Sequence, residues 1–159
     1  MLGFMMDRPL TLPSILEHAA LYHGDREVVT RTVEGPIHRY GYAQALDRAK
    51  RMAKALIALG VKPGDRVATL AWSTHRHFEL YFAVTGIGAV LHTINPRLHD
   101  DQIVWVANHA EDSVLFFDVT FAEQVAALAP RMTSVTTLVA MTDAAHAPAG
   151  VHVYEDLIA

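Results

Sequence analysis

The chain has 159 residues, of which 52% are hydrophobic and 19% charged, and its formal net charge is −4. That is enough apolar sequence for one domain with a buried core, and mild acidity without a basic cluster argues against a nucleic-acid partner. Cysteine is absent, which rules out disulfides, thiolate nucleophiles and cysteine-ligated metals.

Residues 1–12 read as an extended arm. Its Leu2, Phe4, Met5 and Met6 call for cover, on this domain or on a second subunit. The stretch is too short for the apolar core of a signal peptide, and Asp7 interrupts it. No apolar run in the chain reaches the length of a membrane span. Residues 13–40 are predicted as a helix and a hairpin. The helix starts at Ser14, with Glu17 completing a capping box, or at Thr11, with Pro13 in the first turn. Ile15, Leu16, Ala19 and Ala20 form its apolar face, and Gly24 is its stop. The runs 27–31 and 37–40 flank Glu34-Gly35-Pro36 and predict a β-hairpin.

Residues 41–159 read as an α/β subdomain. From 42 to 59, Ala45, Ala49, Met52, Ala53, Leu56 and Ile57 recur at helical spacing, and Arg48, Lys50, Arg51 and Lys54 fill what reads as a solvated face. Gly60 follows as the residue that closes the helix. Four apolar runs, 66–72, 89–94, 113–117 and 136–141, then start about every 23 residues, a period that suits successive βα units and also the repeats of a solenoid. No recurring Leu-and-Asn pattern supports a solenoid. Short apolar runs alternating with helix-length segments predict a doubly wound, mostly parallel sheet with flanking helices. Ser73 or Thr74 caps the first crossover helix, whose near-continuous apolar surface predicts burial. His99, Asp100 or Asp101 opens the second, and Thr120 with Glu123 the third. Residues 143–150 form a loop, 151–154 a short strand, and 155–159 begin a helix that the chain does not finish, as expected of a fragment. Leu91, Leu115 and Val139 are placed as buried residues of neighbouring strands.

Few residues carry chemistry. Gly86-Ile87-Gly88 follows a helix and precedes a strand, the reverse of a dinucleotide-binding turn, and reads as a helix stop. Neither GxxxxGK[ST] nor GxSxG occurs. His75 and His77 are two apart, so they diverge on a helix, and they read as surface or turn residues. Asp100 and Asp101 read as a cap and a dipole partner.

Several blocks carry a resemblance: MMDRPLTLPSILEHAALYHGDREVVTR at 5–31, PGDRVA at 63–68, FELYFAVTGIGAVLHTINPRL at 78–98 and NHAEDSVLFFD at 108–118. Together they resemble the N-terminal region of AMP-forming (adenylate-forming) acyl-CoA synthetases, in particular long- and medium-chain fatty-acyl-CoA synthetases. The resemblance implies that 1–159 is the N-terminal portion of a larger domain. It implies a complete enzyme that makes acyl-CoA from fatty acid, ATP and CoA through an acyl-adenylate, with Mg²⁺. It also implies a homodimer. Without a signal-peptide core or membrane-length apolar run, the expected location is the cytoplasm or the periphery of a membrane. The family's Ser/Thr/Gly-rich phosphate loop, adenine motif and C-terminal lysine domain do not occur in 1–159. The segment alone is therefore expected to be inactive, with no catalytic or metal residue and no tightly bound cofactor. In related enzymes the loop after Gly-Ala-Val lies near the CoA nucleotide. Carried over here, Asn95 and Arg97 become candidate CoA contacts. Two other readings stay open: a ligase for aryl or small carboxylic acids, and a standalone flavodoxin-like binding or scaffold module.

Overall fold

Valine-, leucine- and phenylalanine-rich runs too short for helices form the strands, and the segments of helical period between them cross over. The computed structural model describes residues 3–4 and 7–159. Leu2, Met5 and Met6 of the expected arm lie outside the described residues, while Phe4 and Leu10 are exposed. The chain runs α1 (Leu12–His23), β1 (Glu27–Arg31), β2 (Ile37–Gly41), α2 (Tyr42–Ala58), β3 (Arg66–Leu70), α3 (His75–Gly86), β4 (Val90–Thr93) and α4 (Asp100–Ala110). It continues with β5 (Asp112–Phe117), a 3₁₀ turn at Val119–Phe121, α5 (Ala122–Leu128), β6 (Thr137–Ala140), β7 (His152–Val153) and α6 (Tyr154–Leu157).

β1 and β2 form an antiparallel hairpin. The other five strands form one sheet in the order β4-β3-β5-β6-β7, with every pair parallel. Side chains alternate across it, as the strand period of two demands. Val67, Val114, Phe116 and Val139 face a core shared with Met52 and Leu56 of α2, Leu80 and Val84 of α3, and Tyr154 of α6. Ala68, Leu70, Leu115, Phe117 and Ala140 face a second core built with Ile103 and Ala107 of α4 and Val125 and Leu128 of α5. The connection through α3 steps one way from β3, and those through α4 and α5 step the other way. Crossovers of one hand then put α3 on the opposite face from α4 and α5. The doubly wound sheet read from the sequence is the observed one.

Two helix ends depend on glycine. Gly60 and Gly88, at φ +91° and +77°, each follow a helix and close a Schellman motif. Val61 N–H donates to Leu56 O and Ala89 N–H to Val84 O, a geometry that needs the left-handed conformation at the glycine. Gly88 is thus the helix stop expected of it.

Several local expectations change. Thr11, not Ser14, is the N-cap of α1, and the Ser14 hydroxyl instead donates to Thr11 O at 2.6 Å. Thr120 caps nothing, because the chain leaves β5 through the 3₁₀ turn in which Thr120 is the middle residue. Tyr81 is exposed although the rest of α3 is largely covered. Leu91 is only half-buried, since β4 is an edge strand, and β3 lies between it and Leu115. Leu115 and Val139 are fully buried in adjacent strands but face opposite cores. Leu115→Ala should lower unfolding free energy by about 2–5 kcal/mol, the usual cost of such a cavity. Leu91→Ala should cost clearly less. Urea titration of both variants checks the order, and an unchanged midpoint for Leu115→Ala would contradict the assigned core.

Candidate functional site

In an open parallel sheet, ligand chemistry belongs at the carboxyl ends of the strands, where connections to the two faces diverge. Here that point lies between β3 and β5. Asp118 directly follows β5 and is fully buried. One of its oxygens accepts from the Trp72 backbone N–H at 2.6 Å, while Oδ1 has no partner. Burial pushes its carboxyl up to about 6, against the opposing bond from Trp72 N–H. Trp72, beyond β3, is partly exposed and packs on Phe121 with ring centroids 5.1 Å apart.

Beside this point lies a network of five charged side chains from distant parts of the chain. Arg76, on the first turn of α3, donates through Nε to Glu155 at 2.7 Å, and through Nη1 to Glu34 at 2.8 Å and to Met141 O at 3.0 Å. Glu34 comes from the hairpin turn and also accepts from the Thr142 hydroxyl at 2.6 Å. Glu155, on α6, accepts both terminal nitrogens of Arg48 at 3.0 Å. Arg48 Nε donates to Glu79 at 2.8 Å, and Glu79 accepts from the Tyr154 hydroxyl at the same distance. Burial raises the Glu79 carboxyl despite these bonds. At Glu34 and Glu155 burial acts the same way but is outweighed by hydrogen bonds and arginine charge, so both are held below the usual carboxylate range. Removing one member of a buried charge set leaves its partners uncompensated, which is far costlier than losing a surface pair.

Arg48 is therefore no part of a solvated face, although Lys50 and Lys54 of the same helix are exposed. His75 and His77 are likewise buried, not on the surface or in a turn. They do diverge. His75 stacks on His38 with centroids 4.0 Å apart, and His77 bridges the Thr69 hydroxyl at 3.1 Å and Trp72 O at 3.2 Å. Burial, reinforced by the charges of His38, Arg76 and Arg48, takes His75 down to about 3, and burial also lowers His77. Asp118, Arg76, Glu79 and Glu155 were not singled out from the sequence. The available signal was the pair Arg76 and Glu79, two charges on an otherwise apolar helix.

Asn95 and Arg97 follow the edge strand β4, with β3 between them and the β5 end. Both are exposed. The Asn95 side-chain oxygen accepts the Arg97 backbone N–H at 3.0 Å, and Leu98 N–H donates to Asn95 O at 3.2 Å. Asn95 thus spends its oxygen on the turn and keeps its amide N–H groups free. Among the described residues the Arg97 guanidinium has no hydrogen bond or ion pair. At the start of α4 the cap expected of Asp100 or Asp101 is His99 instead; both aspartates lie in the first turn, where they suit the dipole, and Asp100 accepts from Gln124 and Asp101 from Arg131. No group of three or more His, Asp or Glu among the described residues is arranged to hold a metal ion.

The profile of a family described as AMP-binding enzyme matches residues 16–155. A 3-methylmercaptopropionyl-CoA ligase of Ruegeria lacuscaerulensis is 45% identical over 99% of the chain, which covers 30% of that relative. A long-chain-fatty-acid–CoA ligase of Thermus thermophilus is 47% identical over 97% of the chain and 28% of its own length. A solved structure assigned as a long-chain-fatty-acid CoA ligase of Rhodopseudomonas palustris superposes with a TM-score of 0.80 at 31% identity, covering 94% of this chain and 36% of that one. The chain thus spans about 30% of the length of the curated relatives it matches. These likenesses agree with the resemblance drawn from residues 63–68, 78–98 and 108–118.

The raised carboxyl of Asp118 makes a pH-dependent prediction. Its folded value of about 6 lies above the ordinary 3.8, so the folded state holds the proton more tightly than the unfolded chain. The resulting penalty is absent below the unfolded value, grows as pH rises between the two, and is on the order of 2–3 kcal/mol above pH 6. Asp118→Asn keeps an acceptor for Trp72 N–H and cannot ionise. It should be more stable than the parent at pH 7.5 and lose that advantage toward pH 4. Denaturant midpoints across this range check the trend, and a constant difference would contradict it.

Proposed function

The chain belongs to the AMP-binding enzyme family, and on that premise we propose that the whole protein is an AMP-forming ligase joining a fatty acid to CoA at the expense of ATP. The observation carrying this reading is the 47% identity, over nearly the entire chain, to a long-chain-fatty-acid–CoA ligase. A carboxylate oxygen of the acid attacks the α-phosphorus of ATP and pyrophosphate leaves. The thiol sulfur of CoA, its proton lost, then attacks the acyl carbon of the adenylate, and AMP departs. Mg²⁺, when bound, supplies positive charge against the nucleotide phosphates.

This segment contributes scaffold and a CoA-side surface. Arg97 is a free cation at a strand's carboxyl end and suits a phosphate of CoA through charge-assisted hydrogen bonds. The free amide N–H groups of Asn95 suit a ribose or adenine acceptor. The standalone flavodoxin-like reading is not taken further, because the family match runs through most of the chain and joins it to much longer relatives. One observation favours a second reading, a ligase for a small acid: the 45% identity to a 3-methylmercaptopropionyl-CoA ligase. We also propose a homodimer. Exposed Leu10, Leu12, Ile15, Leu21 and Tyr22 on and before α1 support it, since clustered exposed apolar side chains mark contacts. A cytoplasmic location completes the proposal, and no described helix is long and apolar enough to cross a membrane.

Assay of the whole protein against acids from three to eighteen carbons separates the two readings: highest kcat/KM on the long alkyl acids supports the first, and on the short acids the second. Arg97→Ala should raise KM for CoA about tenfold, as expected for a charge-assisted contact, and leave acid-dependent ATP–pyrophosphate exchange unchanged. An equal fall in exchange would remove Arg97 from the CoA site. Sedimentation equilibrium should show a dimer that Ile15→Glu weakens, and a monomer at all concentrations would refute the subunit contact.

A further inference from the structure

We propose that the cavity between β1 and the first turns of α3 binds a short-chain carboxylate, its oxygens at the helix start and its tail against the apolar wall. The cavity measures about 270 Å³. That is just under the roughly 300–1,000 Å³ usual for small-molecule sites, so it suits a fragment-sized ligand. The site is separate from Asn95 and Arg97 and does not depend on the ligase reading.

The helix start is buried and lacks a cap. Thr74 and His75 are 6% and 2% exposed, and both line the cavity. Thr74 is the N-cap of a twelve-residue helix yet makes no side-chain cap bond. Its Oγ1 has no partner, and neither does His75 Nδ1. The first-turn N–H groups, those of His75, Arg76 and His77, have no carbonyl within the helix to reach. The first intrahelical bond is Phe78 N–H to Thr74 O. No protein group among the described residues takes these three donors. A buried helix end normally finds a side chain or another acceptor, and this one has hydroxyl and amide donors, with an unpartnered imidazole nitrogen beside them, at the positive end of a helix dipole.

The lining also selects the ligand. No Lys, Arg, Asp or Glu lines the cavity. A phosphate would bring two negative charges to a site without a cation, whereas a carboxylate brings one, spread over two oxygens that neutral donors can satisfy. Val28, Val29 and Phe78, with the Tyr81 ring, form the apolar part of the wall, beside the polar Thr30, Ser73 and His77, and give an alkyl tail somewhere to lie. Neither Thr74 Oγ1 nor His75 Nδ1 has a bond to give up on binding.

The test is a titration of the ¹⁵N-labelled chain, without ATP or CoA, with hexanoate, 1-hexanol and inorganic phosphate. Hexanoate should shift the amide resonances of His75, Arg76 and His77 saturably, with hexanol and phosphate each about tenfold weaker, the loss expected when a charge-assisted bond or an apolar contact is missing. Thr74→Val should weaken hexanoate by about tenfold, as loss of one hydrogen bond to a charged group predicts, and Thr74→Ser should retain it. The valine variant sacrifices no existing cap bond, and its amide spectrum reports whether it folds. If it does not fold, the comparison of the three ligands on the parent chain decides. Hexanol binding as tightly as hexanoate would reduce the site to an apolar hole. Phosphate binding as tightly would reduce it to a bare helix dipole. Shifts confined to the Asn95–Arg97 loop, or none, would also overturn the proposal. Because no nucleotide is present, these outcomes leave the ligase reading untouched.

Discussion

The Arg76 guanidinium is the contact on which the assembly of this chain most depends. Hydrophobic burial packs the five parallel strands, their crossover helices and Tyr154 of α6, and sets Tyr40 of the hairpin against α1 and α2, but burial is non-directional, and the directed contacts of the hairpin turn and α6 meet at Arg76. Arg76 binds a carboxylate from each, Glu34 and Glu155, and a strand-end carbonyl, Met141 O. The hairpin turn is thereby joined, around one side chain, to two segments more than a hundred residues further along the chain. Arg48 repeats the arrangement from α2, so Glu155 is gripped by two guanidiniums. Such a network adds little net stability over an apolar equivalent. Its effect is on position, because each arginine accepts its partners only in a narrow geometry.

That division explains what could be read from the sequence. The sheet, its helices and the hairpin were legible because each depends on local period: two for strands, 3.6 for helices, and glycine where the chain must reverse. The blocks around 78–98 and 108–118 also carried the family resemblance. The network was not legible, because Glu34, Arg48, Arg76 and Glu155 are each ordinary residues in their own windows. Arg48 sits in a run with Lys50, Arg51 and Lys54 and differs only in what α6 brings opposite it. His75 and His77 misled for the same reason. Their spacing correctly said that they diverge, but only the hairpin over one and Thr69 beneath the other make them buried. Leu91 failed differently, since a run of apolar residues does not reveal whether its strand will be central or at an edge.

The carboxyl side of the sheet therefore combines two kinds of surface. Around α3 the groups are buried, locked and in part unsatisfied: Asp118 Oδ1, Glu34 Oε2, Thr74 Oγ1 and His75 Nδ1 all lack partners. Around Asn95 and Arg97 they are exposed, and the arginine is unpaired among the described residues. Buried polar groups without partners are uncommon, and each tends to mark water, a ligand or function. Their concentration on one side of one sheet is hard to attribute to packing, which would scatter such atoms.

Rigidity and freedom here have a physical order. A ligand that arrives and leaves, as CoA does in a ligase, is better met by a side chain that gives up no strong bond to bind it. Arg97 meets that condition. Arg48 and Arg76 do not, because each would first have to release buried carboxylates and leave them uncompensated. The arginines of this end thus divide by what they already hold. The paired ones fix the scaffold, whereas Arg97, with no ion pair among the described residues, has nothing to release before meeting the CoA phosphate proposed for it.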